Sequence, residues 1–266
     1  MFRGSVPETG DKPIKISDVT AETFGNVLSY LYTDRTDDLK MENAFETLYC
    51  AEKYGIPSLF NHCSQFIVSR LDSSNCLISL EKALRFSADS VIKGCLEFID
   101  ANCKAVLDTP QFLAVQHEIL EKILQRNTLA VDENTVYKAV DRWASNACAE
   151  AGIDSSAENR RQVLGAALYL VRFPLLTDGE IANGPLKVTQ IRHGLFYQNT
   201  ALLLWTLQSG LLLKEEFCAI YEYLYKHGAD KPHIPFPATP RVHLLSDYPV
   251  RHARPRPGAL LNPRRR

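Results

Sequence analysis

The sequence of 266 residues contains none of the short motifs that commonly identify catalytic or nucleotide-binding chains. It has no G-x-G-x-x-G, no G-x-S-x-G and no H-E-x-x-H pattern. The run Gly10-Asp11-Lys12 lacks the spacing and the following Ser or Thr of a phosphate-binding loop. Carboxylates are plentiful, but none forms a recognisable catalytic pair. We therefore expect a protein that is not an enzyme, with no catalytic, cofactor-binding or metal-binding residues.

Cysteines with disulfide or zinc spacing are also missing. The seven cysteines are odd in number, none forms a C-x-x-C pair, and most lie among apolar residues at helical spacing. Such cysteines usually behave as small buried hydrophobic residues. No apolar segment typical of a signal peptide follows Met1, and no N-x-S/T acceptor occurs. These observations predict a cytoplasmic protein without a disulfide framework.

The charge is nearly balanced overall but unevenly distributed. Lys and Arg number 30 and Asp and Glu number 31, which argues against a chain-wide nucleic-acid surface. Residues 241–266, however, hold seven Arg and one Asp, and residues 232–266 hold 8 of the 14 prolines. We predict a disordered Pro/Arg-rich tail over 232–266. Binding of phosphates by its arginines is an alternative, but we expect neither nucleic acid nor membrane as a partner.

Residues 194–213 carry no charge, and 20 residues suffice to cross a bilayer. Polar Gln198, Asn199 and Gln208 dilute the apolar character of the run. A membrane-associated protein anchored through 194–213 therefore stays an alternative to a buried helix.

Apolar residues recur at helical spacing through most of the chain, which predicts a mainly α protein. Only residues 14–19, where Ile14 and Ile16 alternate with polar residues, suggest a short strand. Helices are also predicted over 160–171 and 211–225, and Gly55 is expected to end the helix before it. The expected helix starts are Thr20, Asn43 (paired with Glu46 in a capping box), Pro57, Thr109-Pro110 and Asp132.

Motifs in the first 80 residues are Ile14–Val19, Phe24, Leu28–Thr33, Ala51–Tyr54, Cys63, Phe66, Leu71 and Asn75–Leu77. Together they resemble the second half of a BTB/POZ domain. Further motifs are Phe98-Ile99, Val106-Leu107, Pro110–Phe112, Val136–Trp143 and Val171–Leu175. This stretch resembles the BACK domain. Gly184-Pro185 and Ser209–Leu212 resemble BTB–BACK proteins that also carry a PHR domain, although about 22 residues separate these two elements here.

The resemblance implies a partial BTB/POZ domain (α with a short strand), then an α-helical BACK domain. It divides the chain into the C-terminal part of a BTB/POZ domain at 1–72, a BACK domain at 73–185 and an insertion of unclear role at 186–208. Final BACK-like helices at 209–231 and the tail at 232–266 follow. After Arg241 the expected PHR domain is absent, which suggests a chain truncated at both ends.

Members of this family act as adaptors, so the resemblance implies a non-enzymatic substrate receptor of cullin-three RING ubiquitin ligases, with an unknown substrate. In the family the BTB half and the first BACK helices dock the cullin. The matching positions here are Met1, Phe2, Tyr54, Ile56, Pro57, Leu59, Asn75, Leu77 and Leu80. Tyr54 is the strongest candidate, whereas Ile56, Leu59, Leu77 and Leu80 also suit a core.

Two departures from the family bear on its partners. Arg3 stands where cullin-binding relatives often have Glu, and the part of a BTB domain that forms most of the family's homodimer interface would precede Met1. We therefore expect residues 1–70 to be less stable than the BACK domain, with no firm expectation of a dimer. The alternative function is a BTB–BACK scaffold or transcription-linked interaction protein that binds no cullin.

Overall fold

The computed structural model describes residues 16–185, 211–225 and 232–241. Over these residues the chain is helical and contains no strand, so the predicted mainly α fold is confirmed. The helices belong to two compact units, which are described separately below. The first unit comprises the described part of residues 1–70 together with 82–92, and the second comprises 71–81 and the described residues from 93 onward.

The strand predicted at 14–19 is not formed by residues 16–19, whereas residues 14 and 15 lie outside the described ranges. A strand requires a neighbouring strand to pair with its backbone, and the described residues offer none. Asp18 instead accepts hydrogen bonds from the Tyr49 hydroxyl, at 3.2 Å, and from Lys53. These polar contacts hold the segment against a helix, without the alternation that the sequence suggests.

The first unit contains three complete helices, α1 (Ala21–Thr33), α2 (Met41–Lys53) and α3 (Pro57–Ser69). Short connections pack α1 against α2 and α2 against α3. The unit also contains the end of α4 (Cys76–Arg85) and the start of α5 (Asp89–Ala101). Its buried apolar side chains include Val27, Leu39, Phe45, Leu48, Leu59, Cys63 and Ile67.

Local capping signals locate most helix starts in this unit. Thr20 is the N-cap of α1, as predicted, and its hydroxyl accepts from the backbone N–H of Thr23 at 3.2 Å. The prediction for Asn43 is wrong, because α2 begins at Met41 and Asn43 lies within its first turn. Its Oδ1 accepts from the Lys40 N–H at 2.8 Å. An Asn can satisfy a free N–H from either position, so the pattern alone does not fix the register.

The second unit contains seven further helices, all among the described residues. These are α6 (Cys103–Leu107), α7 (Pro110–Leu113), α8 (His117–Leu124), α9 (Glu133–Glu150), α10 (Ala157–Leu164), α11 (Asp178–Asn183) and α12 (Lys214–Tyr225). The predicted caps Thr109 and Asp132 are confirmed: each accepts a backbone N–H three residues later.

Helix α9 forms the centre of the second unit and packs against α6, α7 and α10. Its apolar face buries Val136, Val140, Trp143 and Ala144. The Trp143 indole donates to the Val115 carbonyl at 3.0 Å, so its one polar atom is satisfied inside the core.

The helix predicted over 160–171 ends earlier than expected. Helix α10 stops at Leu164, because Gly165 has φ +48° and ψ −123°, which no helical residue adopts. Residues Gly165–Leu170 and Phe173–Leu175 continue as 3₁₀ turns. The prediction of a helix over 211–225 is confirmed in α12.

The two flanks of residues 186–210 meet in the second unit. The Leu212 N–H donates to the Pro185 carbonyl at 3.3 Å. Arg161 further holds the start of α12 through two 2.9 Å bonds to the Glu216 carboxylate and a bond to the Leu211 carbonyl. Residues 185 and 212 are therefore neighbours in the second unit.

Residues 232–241, here called the strap, form an ordered irregular segment packed on the second unit. The prediction of a disordered tail from residue 232 is therefore wrong for the strap, whereas residues 242–266 lie outside the described ranges. Phe236 is buried, with its ring 5.5 Å from Tyr169 and 5.0 Å from Phe173. Because such aromatic contacts bury large area, a Pro-rich composition does not prevent docking.

Arg241 ends the strap and is fully buried. Its guanidinium donates to the Glu133 carboxylate at 3.1 Å, to the Leu124 carbonyl at 3.1 Å and to the Arg126 carbonyl. Arg241 belongs to the segment that the sequence predicts to be a disordered Pro/Arg-rich tail. Its actual role is that of an interior anchor, because a buried charge requires such a set of partners.

Candidate partner-docking site

The turn between α2 and α3 holds four of the predicted docking residues. The Gly55 N–H donates to the Glu52 carbonyl at 3.1 Å, and the Ile56 N–H to the Ala51 carbonyl at 2.8 Å. This is a Schellman motif, and Gly55 adopts the left-handed φ of +67° that the motif requires. The sequence prediction that Gly55 ends this helix is confirmed. The backbone of the turn is consequently fixed before any partner binds.

Side chains of this turn differ in exposure. Tyr54 and Ile56 are half-buried and Pro57 is exposed, whereas Leu59 is fully buried in the core of the first unit. Three neighbouring side chains of the turn thus present apolar surface, whereas Leu59 does not.

Tyr54 has the features of an interface anchor. Its ring meets Phe24 edge-on at 6.0 Å, and the Lys53 ammonium lies 5.5 Å from the ring centroid. These contacts fix its orientation at little further loss of conformational entropy. Its hydroxyl has no hydrogen-bond partner among the described residues. This hydroxyl is buried, so a partner would contact the half-buried ring of Tyr54 and not its hydroxyl. Tyrosine is among the residues that most often dominate binding energy.

The predicted residues at the start of α4 and on the helix itself have mainly structural roles. The Asn75 Oδ1 accepts from the Asp72 N–H at 3.0 Å, and Asp72 accepts from the N–H groups of Ser74 and Asn75 at 2.8 and 2.9 Å. The Ser74 hydroxyl also donates to the Asp72 carboxylate, at 2.6 Å. This bond first, and then the two backbone N–H bonds, lower the pKa of Asp72. Leu77 and Leu80 are buried. Met1 and Phe2 lie outside the described residues.

Sequence reasoning missed the exposed apolar residue of α4, which is Ile78. This side chain is 48% exposed, in contrast to Leu77 and Leu80. Leu77 and Leu80, three residues apart, mark the buried face, and Ile78 lies about 100° away from Leu77 around the helix. The signal that could have found it is an apolar residue placed off the apolar stripe.

An exposed apolar face on α1 was missed as well. Leu28, Leu31 and Tyr32 are 40%, 57% and 87% exposed, and their spacing places them on one side of the helix. Helical spacing alone predicts such a face to be buried.

A cleft of the first unit, about 440 Å³, lies beside Asp18, Thr23, Glu46, Tyr49 and Cys50. Its polar groups already pair with one another: the Thr23 hydroxyl donates to Glu46 at 2.7 Å, and Tyr49 donates to Asp18. Burial raises the pKa of the Cys50 thiol, which disfavours the nucleophilic thiolate. The cleft therefore presents no activated group.

Six of the seven cysteines are buried, as the sequence predicts. Burial raises the pKa of Cys76 to about 11 and those of Cys63, Cys95 and Cys103 to about 12.

No three His, Cys, Asp or Glu side chains in the described ranges are placed to hold a metal ion. No helix within those ranges is long and apolar enough to cross a membrane, and residues 194–210 lie outside them.

Comparison with known protein families divides the chain into two consecutive parts. The BTB/POZ domain model matches residues 1–71, and the BACK model (BTB And C-terminal Kelch) matches residues 76–183. The chain belongs to the BTB–BACK family. Family members of this type are generally non-enzymatic protein-interaction modules, so the BTB–BACK assignment supports a protein-binding adaptor.

Individual relatives agree with this assignment. The chain is 34% identical over 241 residues to BTB/POZ domain-containing protein 6 of Xenopus tropicalis, covering 91% of this chain and 41% of that protein. It is 33% identical to the human protein 6, over 91% and 40% of the two chains. It is 32% identical to human BTB/POZ domain-containing protein 3, over 92% and 42%. The chain thus spans about two fifths of the length of these relatives.

Proposed function

We propose that this BTB–BACK chain is a cytoplasmic adaptor that docks a cullin of the third type and positions a substrate for ubiquitylation. The observation that carries the proposal is the fixed turn at Tyr54, where Tyr54, Ile56 and Pro57 present adjacent apolar surface. An interface of this kind needs an apolar centre with a polar rim, and Lys53 and Asp18 supply charge beside it. Adaptor function requires no chemistry on the chain itself.

Buried Leu59, Leu77 and Leu80 support the docking surfaces in this proposal and do not contact the partner. Ile78 takes the contact role on α4, because it is the exposed apolar residue there. Asn75 fixes the start of α4 by bonding to the Asp72 backbone.

The test is binding of the purified chain to the N-terminal region of a third-type cullin, measured by calorimetry. Truncation of an interface anchor usually costs about 2 kcal/mol or more, so we expect Tyr54→Ala to weaken binding about 30-fold. Tyr32→Ala is the matched control, because it removes an exposed tyrosine from the same unit. We expect it to leave affinity unchanged, and circular dichroism should show both variants folded.

Three outcomes would be decisive. Equal binding by Tyr54→Ala and the unmodified chain would remove the turn from the interface. Loss of binding on Ile78→Arg, with retained folding, would support the role of α4. If the unmodified chain does not bind the cullin, the proposal fails and the BTB–BACK scaffold without cullin binding replaces it.

A further inference from the structure

The sequence contains two Thr-Pro dipeptides, Thr109-Pro110 and Thr239-Pro240, and no Ser-Pro. Their structural settings are opposite. Thr109 is the N-cap of α7: its hydroxyl donates to the Val106 carbonyl at 2.7 Å and accepts from the Phe112 N–H at 3.3 Å. Both hydrogen-bonding functions of this hydroxyl are therefore in use within a folded helix start.

Thr239 lies on the irregular strap, where both it and Pro240 are exposed. Kinases bind their acceptor segment in an extended form, which a helix start cannot offer without unfolding. The strap is irregular and bends at Thr239, and it presents this hydroxyl at its surface, while Phe236 and Arg241 anchor it on either side. An exposed hydroxyl followed by proline is the acceptor that proline-directed Ser/Thr kinases select.

The surroundings of Thr239 carry an excess of positive charge. Arg172 and Arg241 are both buried and share a single carboxylate, Glu133, which accepts from the Arg172 backbone N–H at 2.9 Å and from the Arg241 guanidinium. The Arg172 side chain donates to the Thr239 carbonyl at 2.6 Å and to Asn127, but its Nε has no hydrogen-bond partner among the described residues. Two buried guanidinium groups thus lie near one carboxylate, which bonds the guanidinium of Arg241 but only the backbone N–H of Arg172.

We propose that Thr239 is a phosphorylation site for a proline-directed Ser/Thr kinase, and that Arg172 and Arg241 attract the resulting phosphate and lock the strap. In this step the Thr239 Oγ1 forms a bond to the γ-phosphorus of ATP. The bond from that phosphorus to the β,γ-bridging oxygen breaks, ADP leaves with the electron pair, and the hydroxyl proton passes to the base of the kinase.

A phosphate on the Thr239 hydroxyl would lie close to the Arg172 guanidinium, so the attraction between them acts over a short distance. Covalent geometry keeps a threonine Oγ1 within about 5 Å of its own carbonyl oxygen, and that oxygen is bonded to Arg172. A phosphothreonine adds a charge of about −1.5 to −2, which offsets the local excess of positive charge. The modification therefore strengthens the attachment of the strap to the second unit.

The experiment incubates the full chain with ATP, Mg²⁺ and a purified proline-directed kinase, then locates phosphate by mass spectrometry. We expect phosphate on Thr239 and none on Thr109, which serves as the internal control. Thr239→Val and Pro240→Ala should both prevent this modification. Hydrogen exchange of residues 232–241 should slow about tenfold after phosphorylation, the effect of one charge-assisted hydrogen bond.

A free peptide spanning residues 233–245 provides the reference for kinase competence. If that peptide is phosphorylated and the full chain is not, Thr239 is not a site in the folded protein. If Thr239 is phosphorylated but the exchange of the strap is unchanged or faster, the guanidinium groups do not hold the phosphate and the locking role is wrong.

Discussion

In the first unit the described ion pairs lie at the surface, whereas in the second unit several lie in the interior. Arg35–Asp37 and Lys53–Asp18 keep between 33% and 71% of each side chain exposed. Arg241–Glu133 is 0% and 3% exposed, and Arg160–Asp141 is 5% and 24% exposed. Surface pairs contribute little to stability, but breaking a buried pair is strongly destabilising.

The two units also differ in how their exposed apolar side chains are arranged. The first unit exposes Leu28, Leu31 and Tyr32 together on one helix face. The large apolar residues exposed on the second unit, such as Ile153 and Tyr169, are isolated from one another along the sequence. We infer that the second unit is cross-linked internally by its polar network. The first unit instead exposes some of its apolar side chains at the surface.

The largest expected effect is on the buried network. Arg241→Ala should lower the free energy of unfolding of the second unit by about 3–5 kcal/mol, because Glu133 is left buried without its main partner. Urea denaturation followed by circular dichroism measures this. Arg35→Ala, which breaks an exposed pair in the first unit, should change stability by less than about 0.5 kcal/mol. Similar effects of the two variants would remove the contrast between the units.

Exposure within the first unit can be tested with a pair of leucines. Leu48 is fully buried, so Leu48→Ala should cost about 3 kcal/mol through lost contacts and the cavity that remains. Leu31 is 57% exposed, and Leu31→Ala should cost less than about 0.5 kcal/mol. A large loss of thermal stability in Leu31→Ala would show that the α1 face is packed in solution.

Cysteine alkylation compares the opening of the two units directly. Cys63 in the first unit and Cys95 in the second are both fully buried, and burial raises the pKa of each to about 12. Local opening exposes either thiol to the same solvent, so a difference in rate reports a difference in local opening. We expect half-buried Cys218 to react first with iodoacetamide, and Cys63 to react about tenfold faster than Cys95. Faster modification of Cys95 would reverse the proposed order.

The smallest expected effect concerns residues 186–208, which we propose to be an insertion in the BACK region. The bond from Leu212 to Pro185 shows that its flanks are already adjacent. Replacing residues 186–208 by a short Gly/Ser linker should therefore leave the melting temperature of the second unit within about 2 °C. A larger decrease would mean that the removed residues contribute to the core.

Local signals in the sequence account for much of the helical structure. Thr20, Thr109 and Asp132 start helices because the hydroxyl or carboxylate of each meets an N–H three residues later, a relation contained within four residues. The apolar spacing of α9 likewise requires only its own sequence. The BTB–BACK resemblance followed from motifs of this local kind.

The parts that sequence reasoning missed depend on distant partners. Arg241 is buried because Glu133, more than 100 residues earlier, provides its carboxylate, and no local pattern encodes that pairing. The strand at 14–19 was predicted from alternation alone, which does not show whether a pairing partner is present. Exposure of Ile78 and Leu31 also depends on which neighbours cover each helix. Tyr54 and Ile56 were identified through the resemblance, and the structure adds the Schellman motif that fixes them.

Native-state hydrogen exchange tests the central contrast most directly. Amides of α1, α2 and α3 should exchange through an opening that leaves α9 protected, so their protection factors should be at least about tenfold lower than those of buried α9 amides. This result would show that the second unit holds its structure while the first opens. Equal protection of the two regions would contradict the account, because it would mean that both units unfold only together.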